Sequence, residues 1–313
     1  MNFTIDKTEL HFCSDNSLSK NEPLPGSAPK TDLWIALEYP HPPGDNALRE
    51  STLSDEIKAH LTTLQKTIEY SRLLLIRNQH THERPTHSLF IAYSNRSQPC
   101  LYEIQLEDYM QLVSINADSI HSEIFPLPYR LMGEPLFLIC TNGRRDPCCA
   151  KWGLPLYNAL EKVPGISVWQ TSHVGGHRFA GNMICLPHGI YYGRVSPDNA
   201  TTIVEHYQAG LIDLDRYRGR ASLSSIAQVG EYFLRQQTAD LQVDSIQFKT
   251  ASEINPDQWE LSYSSNLSKN TYRLMIASEL SDQMIFESCS TPDELKPIKR
   301  FRLIDFTEDK LRR

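Results

Sequence analysis

Four residues in two close pairs carry the clearest chemistry in this 313-residue chain. Cys140 and Cys149 are separated by eight residues across the polar segment TNGRRDPC, and His173 and His177 by three, Val174-Gly175-Gly176. Thiolates and imidazoles are the donors that zinc and iron–sulfur centres accept. The paired glycines allow a backbone path that other residues resist, so both imidazoles can turn toward one point. Each pair has a plainer reading. Two histidines at this spacing often sit on a solvated face, and a cysteine ending a buried strand is more often core than ligand. Cys148 adjoins Cys149, so either sulfur could serve, and the vicinal pair also suggests a thiol redox centre.

The elements around these residues argue for convergence. PLFLIC (135–140) reads as a strand ending on Cys140. A helix is expected over 150–162, with Gly153 and Pro155 confining its regular part to the second half. ISVWQTS (166–172) is a strand that delivers His173. MICLP and YYGRV (191–195) pair as a hairpin across the intervening HG. Two helices follow, the second marked by Leu223, Ile226, Ala227, Gly230, Phe233 and Leu234 at helical spacing. This βαβ…ββα order matches a thioredoxin-like domain, whose first two strand-end loops emerge at one sheet edge, where α/β sheets build sites.

Upstream, LWIALEY, a helix from the N-cap candidate Ser54 to about Tyr70, and the runs LLLIRN, SLFIAYS and CLYEIQL form a smaller α/β unit. It could be a second copy of the same scaffold. Downstream, SIQFKT, WELSYSS and TYRLMIAS alternate as strands. The expected organisation is an extended N-terminal segment (1–30), an N-terminal α/β domain (31–128), a thioredoxin-like domain (129–239) and a β-rich C-terminal extension (240–313).

Composition excludes some partners. The chain carries 31 basic and 38 acidic side chains, a net charge of −7, with no dense basic cluster, so nucleic acid is not expected. No apolar run approaches the roughly 20 residues that span a bilayer. The N-terminal MNFTIDKTELHFCSDN lacks the apolar core of a secretory signal, so a cytoplasmic protein is expected. Seven scattered cysteines are an odd set, more suited to free thiols or metal ligands than to a disulfide framework. Cys13, Cys100, Cys185 and Cys289 read most simply as structural or free thiols.

Three longer stretches resemble a known family: CTNGRRDPCCAKWG (140–153), WQTSHVGGHRFAGNMICLPHGIYYGRV (169–195) and DRYRGRASLSSIAQVGEYFLR (215–235). They are similar to the sucrase/ferredoxin-like family of thioredoxin-like [2Fe–2S] ferredoxins, and the likeness extends more loosely to residues 23–40. The resemblance implies an α/β thioredoxin-like ferredoxin domain whose [2Fe–2S] cluster has two Cys and two His ligands. By position these are Cys140, Cys149, His173 and His177; the eight-residue gap favours Cys149 over Cys148.

That ligand set implies a cluster that is neutral when oxidised, more easily reduced than one with four cysteines, and coupled to protons through its imidazoles. The chain order Cys, Cys, His, His places the sulfurs on one iron and the nitrogens on the other. The expected function is therefore electron transfer with an unidentified redox partner protein, a reductase or an electron acceptor, rather than self-contained catalysis. Two alternatives use the same residues: a zinc-stabilised structural or interaction module with the four donors, and a thiol oxidoreductase at Cys148 and Cys149. No credible pair of catalytic carboxylates supports glycoside hydrolysis. Arg144, Arg145, Arg178 and Arg194 would either hydrogen-bond the cluster and steer a partner, or pair with carboxylates such as Asp146. Trp152 and Trp169 read as core.

Overall fold

A computed structural model describes residues 12–310. In chain order they form α1 (Cys13–Ser19), β1 (Leu33–Glu38), α2 (Asp55–Thr67), β2 (Ser71–Arg77), β3 (His87–Tyr93), β4 (Cys100–Leu106), α3 (Ala117–Ser122), β5 (Tyr129–Leu131), β6 (Leu136–Cys140), α4 (Pro147–Leu160), β7 (Ser167–Thr171), β8 (Met183–Leu186), β9 (Ile190–Tyr192), α5 (Pro197–Gln208), β10 (Tyr217–Arg220), α6 (Ser225–Thr238), β11 (Ile246–Asn255), β12 (Gln258–Ser265), β13 (Thr271–Phe286) and β14 (Leu295–Asp309).

β1 is apolar but for its last residue and buried throughout, as a strand covered on both faces must be. It runs parallel to β2 across α2, whose Ser54 side chain caps the helix by accepting from the Ile57 amide. β3 returns antiparallel to β1, and β4 to β3, in the spatial order β2-β1-β3-β4. The second unit repeats this. β6 is parallel to β7 across α4, β8 is antiparallel to β6 and β9 to β8, in the order β7-β6-β8-β9. The two copies are joined edge to edge: β2 and β7, corresponding strands, pair antiparallel at Ile76↔Thr171 and Arg77↔Gln170. The result is one ten-stranded sheet with β5 and β10 at its edges.

The sheet bends so that the inner faces of its wings meet. Trp34 of β1 lies 5.9 Å from Tyr191 of β9 between ring centres, and Phe90 of β3 lies 5.5 Å from Trp169 of β7. One apolar cluster therefore mixes both halves, taking Trp34, Ala36 and Ile76 from the first and Leu138, Cys140 and Ile184 from the second. Each helix covers an outer face: α2 packs Ile57, Leu61 and Leu64 on Leu33, Ile35 and Leu37, and α4 packs Leu156, Tyr157 and Leu160 on Phe137 and Ile139.

The fold is thus mixed α/β with a β-rich C-terminal extension. That extension is a separate antiparallel sheet, β11-β12-β13-β14, which seats Leu261, Tyr263, Leu274 and Ile276 against Ala227, Val229 and Leu234 of α6. Gly230 makes the close approach possible, since a Cβ there would stand 2.3 Å from the Tyr263 hydroxyl oxygen.

Two local expectations are corrected. The segment expected to be extended contains a buried helical turn pair, α1, in its described part; residues 1–11 lie outside the described residues. The helix expected over 150–162 begins earlier, at Pro147, and is regular throughout. Asp146 caps it, accepting from the Cys148 amide at 2.9 Å, and Pro147 fills the first position, where no amide hydrogen is needed.

Candidate metal centre

The early start of α4 decides which cysteine faces which way. Residues 148 and 149 lie in its first turn, and neighbouring helical side chains diverge by about 100°. Cys149 turns to the sheet and joins the shared inner core with Cys140 and Val174; Cys148 turns away, toward Cys13, Ala180 and Phe286. Gly153 lets the helix close on the end of β6, because a Cβ there would stand 2.0 Å from the Cys140 carbonyl oxygen.

The histidines come from the loop after β7. Gly175 and Gly176 both take left-handed backbone, at φ +91° and +71°. The loop is held from several sides. Arg218, fully buried, donates to the Gly175 carbonyl at 3.1 Å and to Asn182 Oδ1 at 2.8 Å, and Asn182 donates to the Gly176 carbonyl at 2.9 Å. Tyr191 reaches the Val174 carbonyl at 3.2 Å and Arg72 the His173 carbonyl at 3.2 Å.

Three of the expected donors meet. The ligand atoms of Cys140, Cys149 and His173 all lie within 4.8 Å of one another, with His173 Nδ1 4.0 Å from the Cys140 sulfur and 3.7 Å from that of Cys149. His177 stands beside them, its ring centre 5.2 Å from that of His173, but outside that tight set. Its Nε2 lies 3.7 Å from Asp146 Oδ2, while its buried Nδ1 meets no hydrogen-bond partner among the described residues. A buried, orphaned imidazole nitrogen carries an uncompensated desolvation cost that a ligand would offset. The donor set and this orphan both fit a metal centre.

Hydrogen bonding from Cys149 and the nearby His173 hold the Cys140 thiol well below its ordinary value against the effect of burial, and the same thiol pairing and burial push Cys149 up. Burial lowers His177, partly opposed by Asp146. A cavity of about 540 Å³, walled by Asp45, Arg49, Gln65 and Arg145, reaches His173. A larger cavity, about 740 Å³, lies by Arg84, Glu103 and Arg130 and touches none of the four donors.

Three of the four flanking arginines, Arg145, Arg178 and Arg194, pair with protein groups. Arg145 meets Asp45 at 2.9 Å, Arg178 meets Glu22 at 2.8 Å and Glu287 at 3.1 Å, and Arg194 donates to Ser17 and the Glu22 carbonyl. Asp146 pairs with no arginine among the described residues; it caps α4 and accepts from the Cys289 amide and the Ser288 hydroxyl. Trp169 is core, but Trp152 is 38% exposed and donates to Ser14. Nothing in the spacing marks Arg218 or Asn182 as positioning groups, whereas Asp146-Pro147 before an apolar helix is a readable N-terminal signal.

The profile of the sucrase/ferredoxin-like family matches residues 24–219. Among curated proteins, Altered inheritance of mitochondria protein 32 of Meyerozyma guilliermondii is 35% identical over 97 residues, 28% of this chain and 34% of that protein. The protein of the same name from Debaryomyces hansenii is 35% identical over 99 residues, 28% of this chain and 36% of that protein. That from Saccharomyces cerevisiae is 26% identical over 140 residues, 39% and 45% respectively. The matched stretch thus spans about a third to under a half of these relatives' length. Among solved structures, a cysteine-to-serine variant of the thioredoxin-like [2Fe–2S] ferredoxin from Aquifex aeolicus shares 19% identity over 28% of this chain and 99% of that one, with a TM-score of 0.25.

These findings overturn the expected function. The curated relatives are named for altered inheritance of mitochondria and not as electron carriers, and a TM-score of 0.25 is too low to carry that role across. The geometry bears on the alternatives: Cys148 and Cys149 face different clusters, and His177 lies outside the compact set made by Cys140, Cys149 and His173. No helix among the described residues is long and apolar enough to cross a membrane. On the match to almost two thirds of its length, the chain belongs to the sucrase/ferredoxin-like family.

Proposed function

We propose that this chain is a metal-cluster protein holding a [2Fe–2S] cluster through Cys140, Cys149, His173 and His177. The observation that carries the reading is the buried gathering of Cys140, Cys149 and His173 beside an imidazole whose Nδ1 has no partner. Four donors of one mononuclear tetrahedral ion would lie about 4 Å apart. Here His177 stands farther out, which suits a centre with two metal ions.

When bound, such a cluster supplies an inorganic centre whose properties follow from the charge and hydrogen bonding around it. This chain's residues set that surrounding. Cys140 and Cys149 sit in an apolar core that excludes water, Arg218 and Asn182 hold the histidine loop by its carbonyls, and the Asp146 carboxylate faces His177 Nε2 at 3.7 Å. The relatives' name describes a mitochondrial phenotype and no chemistry, so no activity is taken from it.

The test is iron and acid-labile sulfide analysis of anaerobically purified full-length protein, with EPR of the chemically reduced sample. Two irons and two sulfides per chain are expected, with nitrogen hyperfine coupling that diminishes in His173→Cys and His177→Cys. Protein that holds no iron, or a nitrogen signal untouched by both substitutions, would sink the assignment.

A further inference from the structure

Cys13, Cys148 and Cys289 come from α1, the first turn of α4 and the loop between β13 and β14, positions 135 to 276 residues apart in the chain. Yet the Cys148 sulfur lies 3.4 Å from each of the other two. Both Asp146 carboxylate oxygens lie 3.9 Å from the Cys13 sulfur, and one ligand atom from each of these four residues falls within 4.8 Å of all the others.

We infer that Cys13, Cys148, Cys289 and Asp146 form a second metal site, for a single divalent thiophilic ion of the zinc class. It shares no ligand with the Cys140, Cys149, His173 and His177 set and stands whether or not those residues hold a cluster.

Three arguments support it. Ligands of a tetrahedral ion bound at about 2.3 Å by sulfur are themselves roughly 3.8 Å apart, close to the separations here, so capture needs only small side-chain adjustments. The surroundings are prepared: Cys13, Cys148 and Asp146 are almost fully buried, and Phe286 and Ala180 close the apolar shell. Cysteines buried merely as small apolar groups would not gather round a carboxylate. Asp146 Oδ1 accepts one backbone bond, from Cys148, and keeps a lone pair for the ion, while Oδ2 takes the Cys289 amide and the Ser288 hydroxyl. Finally, Cys148 lies at the N-terminal end of the 14-residue α4, where the aligned amides favour negative charge. On binding, each thiol gives its proton to solvent and its sulfur lone pair to the metal, with no change of oxidation state.

The bound ion would tie together three parts of the chain with no covalent link, and would latch α1 over the histidine loop. α1 already lies there: Ser17 accepts from Arg194, and Glu22 just beyond it pairs with Arg178.

The experiment uses the full chain, reduced and stripped of metal, titrated with Zn²⁺ against a chromophoric chelator beside the Cys13→Ser/Cys289→Ser double variant. In parallel, alkylation of each cysteine in the parent is followed by mass spectrometry with and without Zn²⁺. The parent should take up a single equivalent more than the variant. Zn²⁺ should slow alkylation of Cys13, Cys148 and Cys289 while leaving the half-buried Cys100 unprotected. Equal uptake by both proteins, or no protection of the three thiols, overturns the site, as does a disulfide among them that forms in preference to zinc binding. If the double variant does not fold, the alkylation pattern of the parent decides alone.

Discussion

Glu38 and Cys140 stand at the same place in the two halves of the ten-stranded sheet. Each ends the first strand of its copy, and each shares a strand face with the inner-core residues, Trp34 and Ala36 in one case, Leu136 and Leu138 in the other. The first half closes this position with its own groups. Glu38 is fully buried, accepts from the Ser88 amide at 2.8 Å and pairs with Arg84 at 3.4 Å. The second half puts a thiol there, adds a thiol from α4 and an imidazole from the next loop, and leaves a neighbouring imidazole nitrogen unpaired. One scaffold therefore serves both as an internally satisfied wall and as a gathering of thiol and imidazole donors. What differs is which groups fill the strand end and the two loops after it.

The largest effect should come from the donors themselves. Cys149→Ser should remove nearly all iron from the purified protein, whereas Cys148→Ser and Glu38→Gln should retain it. Iron analysis decides, and loss of iron in Glu38→Gln would dissolve the contrast between the halves.

Glu231 tests how firmly the second half is held from outside. It is buried with Arg235 at 2.8 Å and Tyr217 at 2.8 Å. Glu231→Gln leaves Arg235 buried without its charge partner and should cost about 3–5 kcal/mol in denaturant unfolding. Burial alone would raise this carboxyl, but Arg220 and Arg235 overcome it and hold it below the ordinary value. The stabilisation is therefore full above the unfolded-state pKa and lost as pH falls through the lower folded value. The gap between parent and variant should be constant near neutrality and shrink in acid.

Glu38→Ala exposes the unmet Ser88 amide to a dry interior and should cost about 1–3 kcal/mol, with iron content unchanged. The smallest effect is expected at Arg145, which meets Asp45 with both side chains about half exposed. Arg145→Ala should shift stability by less than about 1 kcal/mol, and a larger change would mean that the loop after β1 supports the histidine site more than its exposure suggests.

Much of this was readable in the residues. Runs such as LWIALE and LFLIC declare buried strands, Ser54 declares a helix start, and the donor pairs declare themselves by type. A helix read as beginning at 150 leaves Cys148 and Cys149 together in a loop, where the eight-residue gap favours Cys149 but does not fix how either faces. Once Asp146-Pro147 is recognised as its start, their divergence follows from helical geometry. The join of β2 to β7 has no such signal, since Ile76, Arg77, Gln170 and Thr171 look like any strand end. β14 carries little signal, because Ile298 is its single fully buried residue and its alternation is faint. The meeting of Cys13, Cys148 and Cys289 depends on chain paths that spacing does not encode.

The antiparallel seam between β2 and β7 has a consequence for symmetry. Corresponding edges meeting in opposite directions are what two identical subunits make around a two-fold axis. Here both edges belong to one chain, so nothing obliges the two strand ends to match: Glu38 pairs with Arg84 where Cys140 meets Cys149 and His173.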